Sequence, residues 1–580
     1  MKKVSSHTLK RILNYLGRRK FLVILSVIFA GISVALTLYL PTLFGDAVDT
    51  MLGKGKVDFQ TLISVFILAA AVIAATAVTK WLETIINNRI TYGVARDIRN
   101  TAIEKLQRLP LSYLDSHPEG DTVSRIIADV DQFSDGLLMS FTQLFTGIIT
   151  VLGTVGFMVA IDWKIALIVI LLTPLSLLLA RFIARSTHNM FKAQAAVRGE
   201  QTAFIEEMTE NQKIVRAFGM EESCAARFLE INDRLEKAAL KATFFSSLVN
   251  PTTRIIYNII YAVVALAGAL AVISGEGSIL TVGGLSCLLS YATQYAKPFN
   301  EISGVIAELQ NSFACAERVF ELIDEKEEVP DGDEELSCAA GKVEFENVFF
   351  SYSADKKLIE NFNLSVKPGM RVAIVGPTGC GKTTLINLLM RFYDVDSGTV
   401  KTDSKPITLI KRKSLRKNYG MVLQDTVIRR ATVAENIAMG RPDATRDEII
   451  KAAKESHAHS FIKRLPNGYD TVIGPSSGLS GGQRQLLCIA RIMLTLPPIL
   501  ILDEATSSID TRTEMKIQDA FAKMMKGRTS FIVAHRLSTI KDADLILVMN
   551  NGQIIESGTH TSLLQSGGFY AKLYNSQFEN

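Results

Sequence analysis

Apolar residues are distributed unevenly along this chain. In the first half they gather into long unbroken runs; in the second they come as short runs bounded by glycine and charge. Phe21 to Leu40 carries no charge over twenty residues, enough to cross a hydrocarbon core as a helix. Further runs lie at Leu62–Val78, Gly136–Ile161, Ile165–Ala180 (interrupted by Pro174), Ile255–Gly275 and Ser278–Ala296, the last weakened by several polar groups. Together they predict six membrane spans. Before the first run, Leu9, Ile12, Leu13 and Leu16 share one face of a basic helix, expected to lie at the membrane surface. Two long polar stretches, 80–135 and 181–254, keep a helical period. Ala95–Leu109 and Ser124–Phe133 flank a break at Leu111–Gly120, and Ala203–Phe218 precedes Glu221–Lys241. Neither stretch is apolar enough for a core of its own. They read as spans continuing past the bilayer, each pair joined by a short cross-piece.

Charge fixes the orientation. Lys2, Lys3, Lys10, Arg11, Arg18, Arg19 and Lys20 precede the first run, and both long stretches are rich in Lys and Arg. The positive-inside rule places both termini and both long loops in the cytoplasm. Net charge is only +5 and no basic tail stands apart, so nucleic-acid binding is not indicated. The six cysteines (Cys224, Cys287, Cys315, Cys338, Cys380, Cys488) have no C-x-x-C spacing and read as free thiols in a reducing compartment. No small-residue cleavage site follows the first run, so it does not read as a signal peptide. Gln143, Arg254, Asn258, Gln294 and Tyr295 fall at or within spans, where polar groups face a bundle interior or a watery pathway. Arg254, Asn258 and Gln294 are the candidates for a substrate path.

The chain divides by composition into a helical membrane domain over 1–318, an acidic linker over 319–340 with Pro330 and Gly332, and an α/β domain over 341–580. Val343 to Tyr352 alternates like a strand. Arg371–Val375, Gly420–Leu423, Ile499–Leu502 and Ser530–Ala534 read as further strands. After Arg371–Val375 comes Gly376-Pro377-Thr378-Gly379-Cys380-Gly381-Lys382-Thr383-Thr384, and then a helix-forming run. Strand, G-x-x-x-x-G-K-[S/T] and helix form a P-loop. Its glycines turn backbone N–H groups toward a phosphate, and the helix N-terminus adds its dipole. Lys382 would reach the β- and γ-phosphates, and the Thr383 hydroxyl would hold Mg²⁺. Asp503 ends a buried strand and suits the Mg²⁺ shell; Glu504 beside it would polarise an attacking water; His535, also at a strand end, would sense the γ-phosphate.

Leu479-Ser480-Gly481-Gly482-Gln483 matches the LSGGQ signature of the ATP-binding cassette (ABC) family completely. With the P-loop and strand-end residues, the chain resembles an exporter-type ABC half-transporter along essentially its whole length. The resemblance implies ATP and Mg²⁺ as ligands, with Tyr352 stacking on adenine. It implies that Gln424 senses Mg²⁺ and the membrane domain, that Ser507 to Asp510 is the D-loop, and that His535 is the switch histidine. The breaks near Leu111–Gly120 and within Ala203–Phe218 would hold coupling helices. Two nucleotide-binding domains would sandwich ATP head to tail, P-loop against the opposite signature, so a second half is required. The chain is most similar to the catalytically intact subunit of bacterial heterodimeric multidrug exporters in the cell membrane. A heterodimer is favoured, and a homodimer is compatible because every catalytic part is present. The implied cargo is an amphipathic small molecule, multidrug or lipid-like, or a peptide. A siderophore-type importer on the same architecture is the alternative, while the spans speak against a soluble P-loop ATPase tethered to a membrane. Two stretches depart from the family pattern. Arg429-Arg430-Ala431 stands where an aromatic and often a glycine are usual, predicting a more charged contact with the membrane domain. Gly474–Leu479 is short and lacks an acidic residue, so cross-talk between subunits would differ.

Overall fold

The structure, a computed structural model, describes residues 6–51, 57–274, 280–353, 357–423, 426–475, 477–503, 509–533 and 540–576. It separates into two compact units. One comprises 1–107 with 119–325, the other 108–118 with 326–580.

The first unit is helical. Phe59–Leu106 and Trp163–Glu210 each run for 48 residues. At about 1.5 Å per residue that is roughly 70 Å, more than twice the hydrocarbon thickness of a bilayer. The long loops are thus continuations of spans, as their period predicts. Among the described residues, four helical stretches are long and apolar enough to cross a membrane: Lys20–Thr50, Phe59–Leu106, Glu119–Ile161 and Glu221–Ile273. Trp163–Pro174 is a shorter apolar stretch, and the polar-spotted run after Ser278 lies in helix Val282–Asp324. That last helix continues to Asp324, past the start of the acidic stretch, because Val319, Phe320 and Leu322 are buried.

Of the apolar face of the N-terminal helix Ser6–Gly17, Ile12 is buried while Leu9 and Leu13 are exposed. Thr8, Ile12 and Tyr15 are buried, Tyr15 stacks on Phe320 at 6.3 Å, and Arg11 pairs with Asp324 at 2.6 Å. Leu9 and Leu13 remain outward, available to an interface with lipid. Within Lys20–Thr50, Pro41 removes a rung of the helical ladder. Two side chains from Val282–Asp324 supply polar contacts there. Tyr291 donates its hydroxyl to the Leu38 carbonyl at 2.5 Å, and Cys287 donates its thiol to the Pro41 carbonyl at 2.9 Å.

In the second unit a six-stranded sheet runs in the order 553–558, 545–550, 371–375, 529–533, 499–503, 419–422. All neighbours are parallel except the first pair. Val372, Ile374, Ile501 and Phe531 on one face and Ala373, Leu500 and Ile532 on the other are nearly inaccessible, the signature of a sheet covered on both faces. A four-stranded antiparallel sheet, in the order 359–366, 343–350, 397–402, 405–406, packs beside it. The extended acidic stretch after Asp324 lies along this unit, where Arg412 holds Asp331 at 2.7 Å and Glu328 at 3.1 Å.

Arg391 is the largest fully buried side chain. It donates to Asp394 at 2.8 Å and to the carbonyls of Ile407 and Ile410 at 3.2 and 3.3 Å. Removing one partner of such a buried pair strands the other. Arg391→Met is therefore expected to destabilise the unit by about 3–5 kcal/mol. The thermal midpoint of the detergent-solubilised chain should drop by about 10 °C, which differential scanning fluorimetry reads.

Candidate functional site

The strand Arg371–Val375 lies inside the parallel sheet, between Thr529–Val533 and Leu545–Asn550. Its carboxyl end therefore opens onto the edge where open α/β sheets bind ligands. The loop that follows needs its glycines. Gly379 and Gly381 take φ of +82° and +102°, and a Cβ on Gly376 would stand 2.1 Å from the Met549 carbonyl oxygen. Helix Lys382–Leu389 then starts with Gly381 as its N-cap and no side chain capping it. Its first N–H groups have no side-chain acceptor, which leaves the dipole end to an incoming anion.

Lys382 is only 8% exposed. Its ammonium donates to the carbonyls of Gly376 and Pro377 at 2.8 and 3.0 Å. The Cys380 sulfur lies 3.9 Å from it and is buried. A cavity of about 450 Å³ opens over the loop. Thr378, Gly379 and Gly381–Thr384 line it, together with Tyr352 and Asp503. Among the described lining residues Lys382 is the sole cation and Asp503 the sole carboxylate. Thr383 is exposed and Asp503 is 7% exposed at the end of Ile499–Asp503. A hydroxyl and a carboxylate oxygen facing one cavity suit a hard cation such as Mg²⁺. Among the described residues no cluster of three or more His, Cys, Asp or Glu forms a metal site alone. The ion would thus complete its shell with ligand phosphate and water, as Mg²⁺ does at phosphoryl-transfer sites.

Tyr352 is half exposed and braced from behind. Its ring meets Phe350 and Tyr393 edge-to-face at 4.9 and 5.0 Å, and Asn387 donates to its hydroxyl at 3.1 Å. One ring face remains available for a flat base. Tyr393 donates its own hydroxyl to Asp115 of the short helix Leu111–Ser116. Burial, with the Asp115 carboxylate, pushes the Tyr393 phenol well above its ordinary value and keeps it a donor. Neither Tyr393 nor Asp115 stood out in the sequence, since they are far apart in the chain and in no motif.

The signature residues form a helix start. Ser480 caps Gly481–Thr495, accepting from the Gln483 N–H at 3.2 Å while the Gln483 side chain accepts from the Ser480 N–H at 3.0 Å. Leu479 packs on the core, and a Cβ on Gly482 would come 2.5 Å from the Thr513 methyl. None of Leu479 to Gln483 lines the Lys382 cavity. Asp510 caps Thr511–Met525, and the Thr513 N–H at 3.0 Å holds its carboxyl below the usual range. Gln424, Glu504, Ser507 and His535 lie outside the described residues.

Arg429 and Arg430 line a separate cavity of about 410 Å³ with Glu435, Met439 and Pro442. In the first unit, Arg254 and Asn258 line one cavity together; half-buried Gln294 does not, and Gln143 lies in a π-helical turn over Ser140–Phe145.

The chain matches two family descriptions, "ABC transporter transmembrane region" over residues 23–298 and "ABC transporter" over 359–507. It is 44% identical to the "Fatty acid ABC transporter ATP-binding/permease protein" of Mycobacterium bovis, over 90% of this chain and 82% of that one. It is 37% identical to the "ATP-dependent lipid A-core flippase" of Syntrophus aciditrophicus, over 86% and 83%. Among solved structures it is similar to a bacterial Atm1-family ABC exporter with ATP bound, with a TM-score of 0.78 and 31% identity, covering 96% of this chain and 98% of that one.

Lys382→Ala removes the cavity's cation. Affinity for MgATP is expected to fall by about tenfold or more, the loss of a charge-assisted contact to phosphate. Equilibrium binding of a fluorescent ATP analogue checks it, and unaltered affinity would contradict the assignment.

Proposed function

This chain belongs to the ABC transporters, coupling ATP hydrolysis to transport across a membrane, and on that premise we propose that it exports lipid-like amphiphiles as one half of a dimer. One observation carries the dimer. The cavity unites Tyr352, the phosphate loop and Asp503 but has no wall from Leu479–Gln483. A second nucleotide-binding domain, facing this one head to tail, supplies the missing wall with its own signature. The printed names of the relatives support a lipid cargo, since they specify fatty acid and lipid A-core. A heterodimer is the assembly we favour. Arg429 and Arg430 set two cations against the single carboxylate Glu435 on one cavity, and the second loop's helix Gln212–Ala217 carries Lys213 and Arg216. Two identical halves would bring like charges to any contact between those surfaces. The assembly lies in the cell membrane with both termini in the cytoplasm.

The roles follow from chemistry. Tyr352 stacks on the adenine, the loop N–H groups and Lys382 hold the phosphates, and Thr383 and Asp503 hold Mg²⁺, with Gln424 reporting on it. Mg²⁺ supplies charge neutralisation between the phosphates. Lys382 exchanges two carbonyl partners for phosphate oxygens, a stronger charge-assisted set. Glu504 orients and deprotonates the attacking water, and His535 contacts the γ-phosphate. ATP favours the closed pair because only that state contacts it from both sides, and this differential affinity moves the helices. Asp115 ties Leu111–Ser116 to Tyr393 and so to the adenine platform. Nucleotide occupancy would therefore be felt in the first cytoplasmic loop.

Glu504→Gln removes the base and leaves the phosphate cradle intact. ATP affinity should stay within about twofold while steady-state hydrolysis falls by about 10³, in the range of lost acid–base catalysis. A malachite-green assay on the reconstituted dimer reads it, and retained turnover would refute the role.

A further inference from the structure

Helices Val249–Ser274 and Val282–Asp324 pack together and line an open cavity of about 320 Å³, on which Arg254, Asn258, Thr293 and Lys297 are exposed. Arg254, Asn258 and Tyr261 follow one another on one face of the first helix, and Thr293 and Lys297 on one face of the second. The remaining wall is apolar or aromatic, including Ile260, Ala292 and Ala296. Tyr257 is engaged within the pair, donating its hydroxyl to the Ala296 carbonyl at 3.1 Å. Among the described residues the lining holds two cations and no carboxylate. Among the described residues neither Arg254 nor Lys297 forms an ion pair.

Two like charges at the mouth of a membrane bundle are costly to keep together without a counter-charge. Structural cations in spans pair with carboxylates or snorkel singly. Here two helices bring theirs to one cavity that also carries hydroxyl and amide groups. A guanidinium fork and an ammonium beside apolar walls fit an anionic headgroup with its alkyl chain. The volume falls in the lower range of ligand sites, enough for a headgroup and the first carbons of a tail.

We propose that the Arg254–Lys297 cavity is the headgroup site for the exported molecule, and that this molecule is an anionic amphiphile bearing a carboxylate or phosphate monoester. The inference rests on the exporter reading and goes beyond it by fixing the charge class of the cargo. Lys297, absent from the sequence-based candidates, becomes a specificity-determining residue.

The test uses the full-length transporter in neutral-lipid nanodiscs, with radiolabelled oleate, dodecyl phosphate and methyl oleate as probes. Oleate or dodecyl phosphate should bind in a salt-sensitive manner, and the headgroup that binds more tightly identifies the natural anion. The double variant Arg254→Gln, Lys297→Gln should weaken that anion by about tenfold or more, the worth of one charge-assisted contact. It should leave methyl oleate within about twofold. Arg254→Lys with Lys297→Arg keeps both charges and should retain most of the affinity, which separates charge from fold. Equal binding of acid and ester by the wild type, or an unchanged double-Gln variant, overturns the proposal. ATP-driven movement of lipid is followed in proteoliposomes of the same preparation. Movement without charge discrimination sinks the anion site alone, whereas no ATP-driven movement of any probe removes the exporter reading beneath it.

Discussion

Lys382 rests its ammonium on two carbonyl oxygens of its own loop, inside a cavity that it shares with the Asp503 carboxylate. A buried charge held only by neutral dipoles is incompletely compensated. The surrounding architecture keeps it so. The parallel sheet buries Val372 and Ile374 and thereby fixes the loop's root. Gly376 lets the loop pass against Met549, and the helix that follows turns its dipole toward the same point. Binding a polyphosphate would relieve that deficit.

The membrane unit answers a related constraint with different means. A helix in lipid must satisfy every backbone group, and Pro41 breaks that rule in the first span. Tyr291 and Cys287 reach across to the carbonyls around the break. A proline bend is thereby converted into a contact between the first and last membrane helices. The polar face on Val249–Ser274 and Val282–Asp324 is left without such repair.

Much of this was legible in the chain. Unbroken apolar runs mark spans because lipid tolerates little else, and a P-loop is a local device whose residues are contiguous. The strands at 371, 499 and 529 were equally plain, being short, apolar and buried on both faces. The strands Ile359–Val366 and Ser397–Thr402 were not seen, since one face is polar and bulges interrupt their pairing with Val343–Phe350. The N-terminal helix was read by its leucines, yet Thr8, Ile12 and Tyr15 are buried, because Phe320 and Asp324 of a distant helix select that stripe. Lys297 escaped notice because a lysine near a span's end is ordinary until Arg254 is found beside it. Tyr393 and Asp115 are joined only in three dimensions.

That last pairing bears on how the protein is made. Residues 108–118 complete the second unit, although the rest of that unit begins only after residue 325. During synthesis the first cytoplasmic loop therefore emerges without its seat. At bacterial-type elongation rates the delay before Tyr393 leaves the ribosome is on the order of tens of seconds. The membrane bundle must form and hold its early loop in readiness through that interval. Maturation is accordingly sequential, with the cassette closing over a cytoplasmic segment made long before.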